Sequence, residues 1–162
     1  MISAGSVWQS MKLFLDTNIV LDYLEAREKG LFAKQVLKLA KDGKEWECVT
    51  ASSVTDILYL LTKALRESNK GLDEAQRRTN KEIRQIAAEQ MDKLLNVIHV
   101  LTVTEDDVKK ALALKWADTE DALQYVVAKA NSVDIIITNN IGDYELSDIP
   151  VMDAEEFLRH RE

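Results

Sequence analysis

The sequence predicts an α/β fold in which a parallel sheet is covered by helices on both faces. Three observations predict it. Short apolar runs alternate with amphipathic helical segments along the chain. The runs are continuously apolar rather than alternating, most clearly Ile135-Ile136-Ile137, as expected of strands buried on both faces. A chain of 162 residues with 46% hydrophobic and 30% charged content is large enough for one well-filled core and fits one domain, residues 11–162.

The elements follow in order. Met1–Ser10 stands outside the pattern and reads as a leader, a tag remnant or a misplaced start, because Met11 directly precedes the first apolar run. Lys12–Leu15 is a strand. Thr17–Ala26 is a helix with Val20, Leu21 and Leu24 on one face, and Leu31–Ala40 is a second, aligning Phe32, Val36, Leu37 and Ala40. Asp42-Gly43 stops it. Trp46–Thr50 is a strand, and Ser52 or Ser53 caps a helix running to about Ser68. After a loop at Asn69–Leu72, one long charged helix is expected from Asp73 to about Leu95. Val97–Leu101 is a strand. Thr104 and Asp107 form a capping box for a helix to Trp116. Thr119–Ala130 is a helix, Asp134–Thr138 a buried strand, Pro150–Met152 a short fifth strand, and Asp153–His160 a closing helix.

Composition narrows the chemistry. A single cysteine, Cys48, rules out an internal disulfide, and two histidines, His99 and His160, rule out a multi-histidine zinc site. Metal chemistry here must rest on carboxylates. The longest apolar run, Ile57–Leu61, is far too short for a membrane span, and no export signal is evident, so a cytoplasmic protein is expected. A net charge of −7 disfavours a broad nonspecific nucleic-acid surface but leaves room for a local one. No Gly-rich phosphate loop follows any strand, which excludes dinucleotide and P-loop functions.

In parallel sheets of this kind, ligands sit beyond the carboxyl ends of the strands. Asp16 directly follows the first strand, and Asp56 lies at the start of the helix after the second. Asp118, Glu120 and Asp121 cluster ahead of the Ile-rich strand, and Asp143 follows it. Taken singly these acids have ordinary uses. Asp16 can cap a helix, Asp118, Glu120 and Asp121 can oppose a helix dipole, and Asp143 can form a turn beside Gly142. Taken together at one sheet edge, they would repel without a counter-ion, and hard cations such as Mg²⁺ or Mn²⁺ relieve that repulsion through oxygen ligands. A receiver domain also gathers acids at a sheet end. It would need an acceptor Asp after the third strand, where this chain has Thr102, Val103 and Thr104.

Met11-Lys12-Leu13-Phe14-Leu15-Asp16-Thr17-Asn18 resembles the opening of a PIN-domain ribonuclease. Thr119-Glu120-Asp121-Ala122-Leu123-Gln124 resembles that family's third acidic motif, and Asp134 through Asn140 with Asp143-Tyr144 resembles its fourth. The likeness runs from Met11 to the C-terminus. It implies a three-layer fold around a five-stranded parallel sheet and an endoribonuclease that uses Mg²⁺ or Mn²⁺. Many small members are VapC-type toxins paired with an antitoxin, so RNA and an antitoxin are the implied partners, and a homodimer is a further candidate assembly. Carried over by position, Asp16, Asp121 and Asp143 are the metal ligands, and Asp56 takes the second acidic place with one methylene less than the usual Glu. Thr17 and Asn18 would position Asp16 or a metal-bound water. Asp118, Glu120, Thr138 and Asn140 are supporting residues. Asn139 stands where Arg is frequent, and Tyr144 stands where Phe is usual, an exchange without evident consequence. The shorter Asp56 and the missing Arg keep open an alternative, a catalytically weak PIN domain that binds RNA or protein.

Four further features complete the reading. Lys63–Arg84 holds seven basic and four acidic residues, and its Arg77 and Arg78 are candidate RNA contacts, although a solvated helix face explains the same pattern. Tyr59 and Leu60 fit either core packing or a partner contact. Cys48 reads as an inert buried thiol and His99 as structural. Trp46 and Trp116 read as core or core-edge.

Overall fold

The structure is a computed structural model that describes residues 9–162. The expected leader lies outside the described residues apart from Gln9 and Ser10. Five strands, β1 (Lys12–Leu15), β2 (Trp46–Thr50), β3 (His99–Leu101), β4 (Ile135–Ile137) and β5 (Val151–Met152), pair in the order β3-β2-β1-β4-β5, all parallel. The chain winds outward from β1 to β3, then returns to place β4 on the other flank of β1. That reversal opens a crevice at the carboxyl ends of β1 and β4.

Side chains alternate across each strand, and each face builds its own core. Leu13, Leu15, Val49, Ile135 and Ile137 face one layer, made by α1 (Thr17–Leu24), α2 (Gly30–Lys41), α3 (Ala51–Lys70), α4 (Asn80–Leu95) and α7 (Ala154–Arg161). Phe14, Cys48, Leu101 and Ile136 face the other, where Tyr125, Val127 and Ala128 of α6 (Thr119–Ala130) pack and α5 (Glu105–Leu114) lies against α6. This is the three-layer α/β/α arrangement expected. Trp46 and Trp116 flank the second core, partly buried as expected.

Local hydrogen bonding moved several boundaries. Helix α3 is capped by Thr50, not by Ser52 or Ser53. The Thr50 hydroxyl accepts from the Ser53 amide at 3.1 Å and pairs with both serine hydroxyls, so the helix starts earlier, at Ala51. The single helix expected over 73–95 is interrupted. Glu74–Gln76 forms one 3-10 turn, Arg77 is extended, and Thr79 then opens α4 through a capping box with Glu82. A Thr-x-x-Glu box satisfies two amides at once, which favours a fresh start over continuation. The capping box of Thr104 and Asp107 forms as read from the sequence. Helix α1 ends at Leu24 because Ala26 turns left-handed, with φ 49°, and the Arg27 amide closes back on Asp22. Gly30 sits so close to that turn that a Cβ would lie 2.5 Å from the Asp22 carbonyl oxygen. Tyr59 is exposed rather than packed in the core. Cys48 is buried and its thiol is pushed up to about 12 by desolvation, consistent with an inert role. His99 is structural in a specific sense: its ring stacks on Trp46 at 4.3 Å. No helix among the described residues is long and apolar enough to cross a membrane.

One core residue is a liability. Glu47 in β2 is fully buried, and among the described residues no side chain hydrogen-bonds its carboxylate. Burial, with the neighbouring Glu45 charge, pushes its carboxyl up to about 9. Glu45 itself accepts from the Met11 amide and from Arg161 of α7. Because Glu47 holds its proton in the fold to higher pH than in the unfolded chain, its stabilising contribution is full below about 4.5 and is lost as pH rises toward 9. Glu47→Gln should therefore stabilise the protein at pH 7–8 by about 1–3 kcal/mol and flatten the pH dependence over that window, whose slope per group is at most about 1.4 kcal/mol per pH unit. Urea unfolding at pH 5, 7 and 8.5 checks this.

Candidate active site

Asp16 stands at the crevice between β1 and β4. Asp16 is the residue immediately after β1, and its amide donates to the Ile137 carbonyl at 3.0 Å, so the backbone is pinned across the crevice. Its side chain is 4% exposed. Three donors hold it: the Thr17 amide at 2.8 Å, the Thr138 hydroxyl at 2.7 Å and the Asn18 amide group at 3.0 Å. Burial raises the Asp16 carboxyl above its ordinary range, while these hydrogen bonds and one from Gln124 oppose the rise. Asp16 does cap α1, so the structural use and the chemical placement belong to the same residue.

A ring of short polar side chains surrounds it. Asn18 also accepts from the Asn139 amide at 3.0 Å, and Thr138 accepts from the Asn140 amide at 3.0 Å. Asn139 donates its side-chain amide to Asp22 at 2.6 Å, which ties the loop after β4 to helix α1. Asn139 thus takes a bracing position where an Arg would have offered a cation.

Asp121 stands on the first turn of α6. Its carboxyl is pushed up to about 7, first by desolvation and then by the charges of Asp16, Asp118 and Asp143, which places these four acids in one electrostatic neighbourhood. Asp118 is the N-cap of α6, accepting from the Glu120 and Asp121 amides at 2.8 and 3.2 Å, and so it orients that turn. Asp143 lies in the 3-10 turn Ile141–Tyr144 after β4. Asp56 on α3 faces a different partner: it hydrogen-bonds Glu120, whose carboxyl is pushed up to about 7 by that bond, burial and the Asp56 charge. The acids therefore form a main group, Asp16, Asp121, Asp143 and Asp118, and a flanking Asp56–Glu120 pair in which the Glu120 carboxyl is the raised one.

Arg77 and Arg78 sit on the α3–α4 connection. The Arg77 guanidinium donates to the carbonyls of Leu72 and Lys70 at the end of α3, and the Asn69 side chain brackets the Arg78 backbone in both directions.

The structure adds two residues that the sequence reading did not single out, Gln124 and Asp22, and corrects the reading of a third, Tyr144. Gln124 is 1% exposed and reaches the Tyr144 hydroxyl at 3.3 Å; an amide inside the apolar run Ala122–Ala128, one turn after Asp121, is the signal that could have flagged it. Asp22 is buried, and its i+4 spacing from Asn18 placed it on the same helix face. Tyr144 is 2% exposed with its hydroxyl 3.5 Å from Asp121. The Tyr-for-Phe exchange is thus not inconsequential, because the added hydroxyl points at an acid.

The donors are carboxylates, hydroxyls and carboxamides, an all-oxygen set suited to a hard divalent cation. Among the described residues no three Asp, Glu, His or Cys side chains close on one point. An ion would be held by one or two carboxylates with water in its other positions, the manner in which Mg²⁺ commonly binds.

Comparison with known proteins places this geometry in a family. The PIN domain family matches residues 12–142. Ribonuclease VapC1 of Aquifex aeolicus is 26% identical over 155 residues, spanning 91% of this chain and 94% of that protein. A toxin-antitoxin complex from Klebsiella pneumoniae aligns with a TM-score of 0.59 at 17% identity, covering 88% of this chain and 97% of that one. VapBC-1 from nontypeable Haemophilus influenzae aligns with a TM-score of 0.58 at 16% identity, covering 90% and 99%.

Two outcomes follow from this arrangement. Thr138→Val removes the shortest of the donors to buried Asp16 and the acceptor of the Asn140 amide, and should cost about 1–3 kcal/mol in denaturant unfolding. Asp121 keeps its proton to about 7 in the fold but to about 4 when unfolded, so its stabilising contribution is full below about 4 and is lost as pH rises to 7. In the presence of chelator, Asp121→Asn should make the fall in melting temperature between pH 5 and 7 shallower, the remainder belonging to Glu120 and Glu47.

Proposed function

The chain belongs to the PIN domain family, and on that premise we propose that it is a metal-dependent endoribonuclease, the toxin of a toxin–antitoxin pair. The observation that carries this reading is Asp16, a buried acid locked by three donors at the crevice of the sheet, in the electrostatic company of Asp121 and Asp143. Mg²⁺ or Mn²⁺, held by Asp16 and Asp121 with Asp143 close by, would supply an activated water and relieve phosphoryl charge. The rest falls to the chain's own side chains. Thr17, Asn18, Thr138 and Asn140 keep the Asp16 carboxylate in one orientation, so no reorganisation is needed when the substrate arrives. Asp118 aims the first turn of α6 and with it Asp121. Glu120, paired with Asp56 and with its carboxyl pushed up to about 7, can take a proton from the attacking water or give one to the leaving oxygen. Asp56 is the residue that reaches this pair from α3, so the short side chain acts through Glu120.

RNA is the proposed substrate, in keeping with the name of the Aquifex relative. Arg78 and the neighbouring bases of Lys63–Arg84 are proposed to lower repulsion for an incoming strand, with Arg77 acting on the connection that carries them. For the antitoxin, support comes from a cavity of about 540 Å³ between α1, α2 and α4, where Tyr23, Leu37 and Leu94 are accompanied by Lys34, Lys41 and Lys93. Apolar floor and cationic rim suit an acidic amphipathic segment.

A cleavage assay on single-stranded RNA tests the reading. With Mn²⁺ the parent should cut, and chelator should stop it. Asp16→Asn and Asp121→Asn should each lower the rate at least roughly 100-fold while retaining the fold. Undiminished cutting by both variants would remove these residues from the mechanism.

A further inference from the structure

We propose that Tyr144 is a positioning residue, whose phenol ties the turn bearing Asp143 to the helix bearing Asp121 and fixes the Asp121 carboxylate for a divalent cation, with Gln124 as its buried second acceptor. This rests on the reading of the acids as a cation site.

The argument begins with burial. The Tyr144 side chain is almost fully enclosed, and Gln124 beside it is equally enclosed. A phenol hydroxyl and a carboxamide are costly to bury unless each has a partner. Here they serve one another: the hydroxyl lies 3.3 Å from Gln124 Oε1 and 3.5 Å from Asp121 Oδ1. Both acceptors draw on the same hydrogen, so the phenol is shared between the amide and the acid. A Phe at this position would strand the Gln124 carbonyl, which explains why a glutamine and a tyrosine occur together in this chain.

The ring is held independently of its hydroxyl. It meets Trp116 edge-on at 6.2 Å and 85°, and Trp116 stacks on Tyr125 at 4.9 Å. Tyr125 is itself anchored by donating to Asp148 at 2.6 Å. This aromatic column packs against the Tyr144 ring. The hydroxyl is therefore free to act on rotamer choice. By engaging Oδ1 of Asp121 it orients the carboxylate, and because Tyr144 is the residue after Asp143, the same bond sets the spacing between the two acids. Gln124 extends the link to Asp16, which receives a hydrogen bond from it. Groups that orient a metal-binding side chain in this way typically affect metal affinity about 10–100-fold.

The test uses the full chain, with Mn²⁺ titrated by calorimetry and by electron paramagnetic resonance of the free ion, alongside thermal melting in chelator. Tyr144→Phe should raise the Mn²⁺ dissociation constant about tenfold. Adding Gln124→Leu removes the stranded carbonyl together with a donor to Asp16, so the double variant should not recover affinity. Asp121→Asn should abolish saturable binding. If Tyr144→Phe binds Mn²⁺ within twofold of the parent while Asp121→Asn does not bind, the positioning role is overturned and the cation site stands. If the double variant regains full affinity, the tyrosine acts only through packing and the proposal is overturned. If the parent shows no saturable Mn²⁺ binding at millimolar concentration, the cation site fails and this role falls with it.

Discussion

Everything at the open end of this sheet depends on keeping one carboxylate, Asp16, out of bulk water. An acid that is nearly fully buried is expensive unless donors surround it, and this chain draws them from two places far apart in sequence. Thr17 and Asn18 come from the start of α1; Thr138 comes from the end of β4, 122 residues away. The parallel pairing of β1 with β4 brings these groups together, and the bond from the Asp16 amide to Ile137 fixes their register. The loop beyond β4 is then stitched down by Asn139 to Asn18 and Asp22. Each of these polar contacts would have little net value at the surface. Around a desolvated charge they are obligatory.

The same logic sorts the other acids. Asp121 is raised to about 7 first by desolvation and then by neighbouring acids, and Glu120 to about 7 first by its bond to Asp56 and then by desolvation and neighbouring acids. The molecule accepts that repulsion at one edge of the sheet. Glu47 is the contrasting case. It is buried deep in β2 beside Glu45, away from the crevice residues in the chain, and its cost has no chemical use that the structure displays.

Most of the architecture was legible because it follows from pattern. Continuous apolar runs gave the parallel strands; the position after a run pointed to Asp16 and Asp143, and the acid cluster ahead of the Ile-rich strand pointed to Asp121. Boundaries were less legible where two polar residues compete for the same amides. Thr50 displaced Ser52 and Ser53 as a cap since its hydroxyl, still on the strand, reaches the Ser53 amide first. The break at Arg77 escaped because charged residues with good helix propensity fill the segment, and only the Thr79–Glu82 pair betrays a new start. At the site, residue order could not reveal that Asp56 would meet Glu120, since that contact joins α3 to α6 through space. Nor could it reveal the use of Asn139 or the Tyr144 hydroxyl, whose partners lie on other elements.

The strand order has a temporal consequence. Synthesis proceeds from the N-terminus, and β1, β2 and β3 can pair as soon as residue 101 is available. The crevice, however, has only one wall until β4 arrives on the opposite flank of β1, and Asp16 has no Thr138 to receive it. A nascent chain shorter than about 138 residues therefore exposes a half-sheet edge and carries an acid that ionises freely in water. The acids become a single electrostatic unit only when almost the entire chain has emerged.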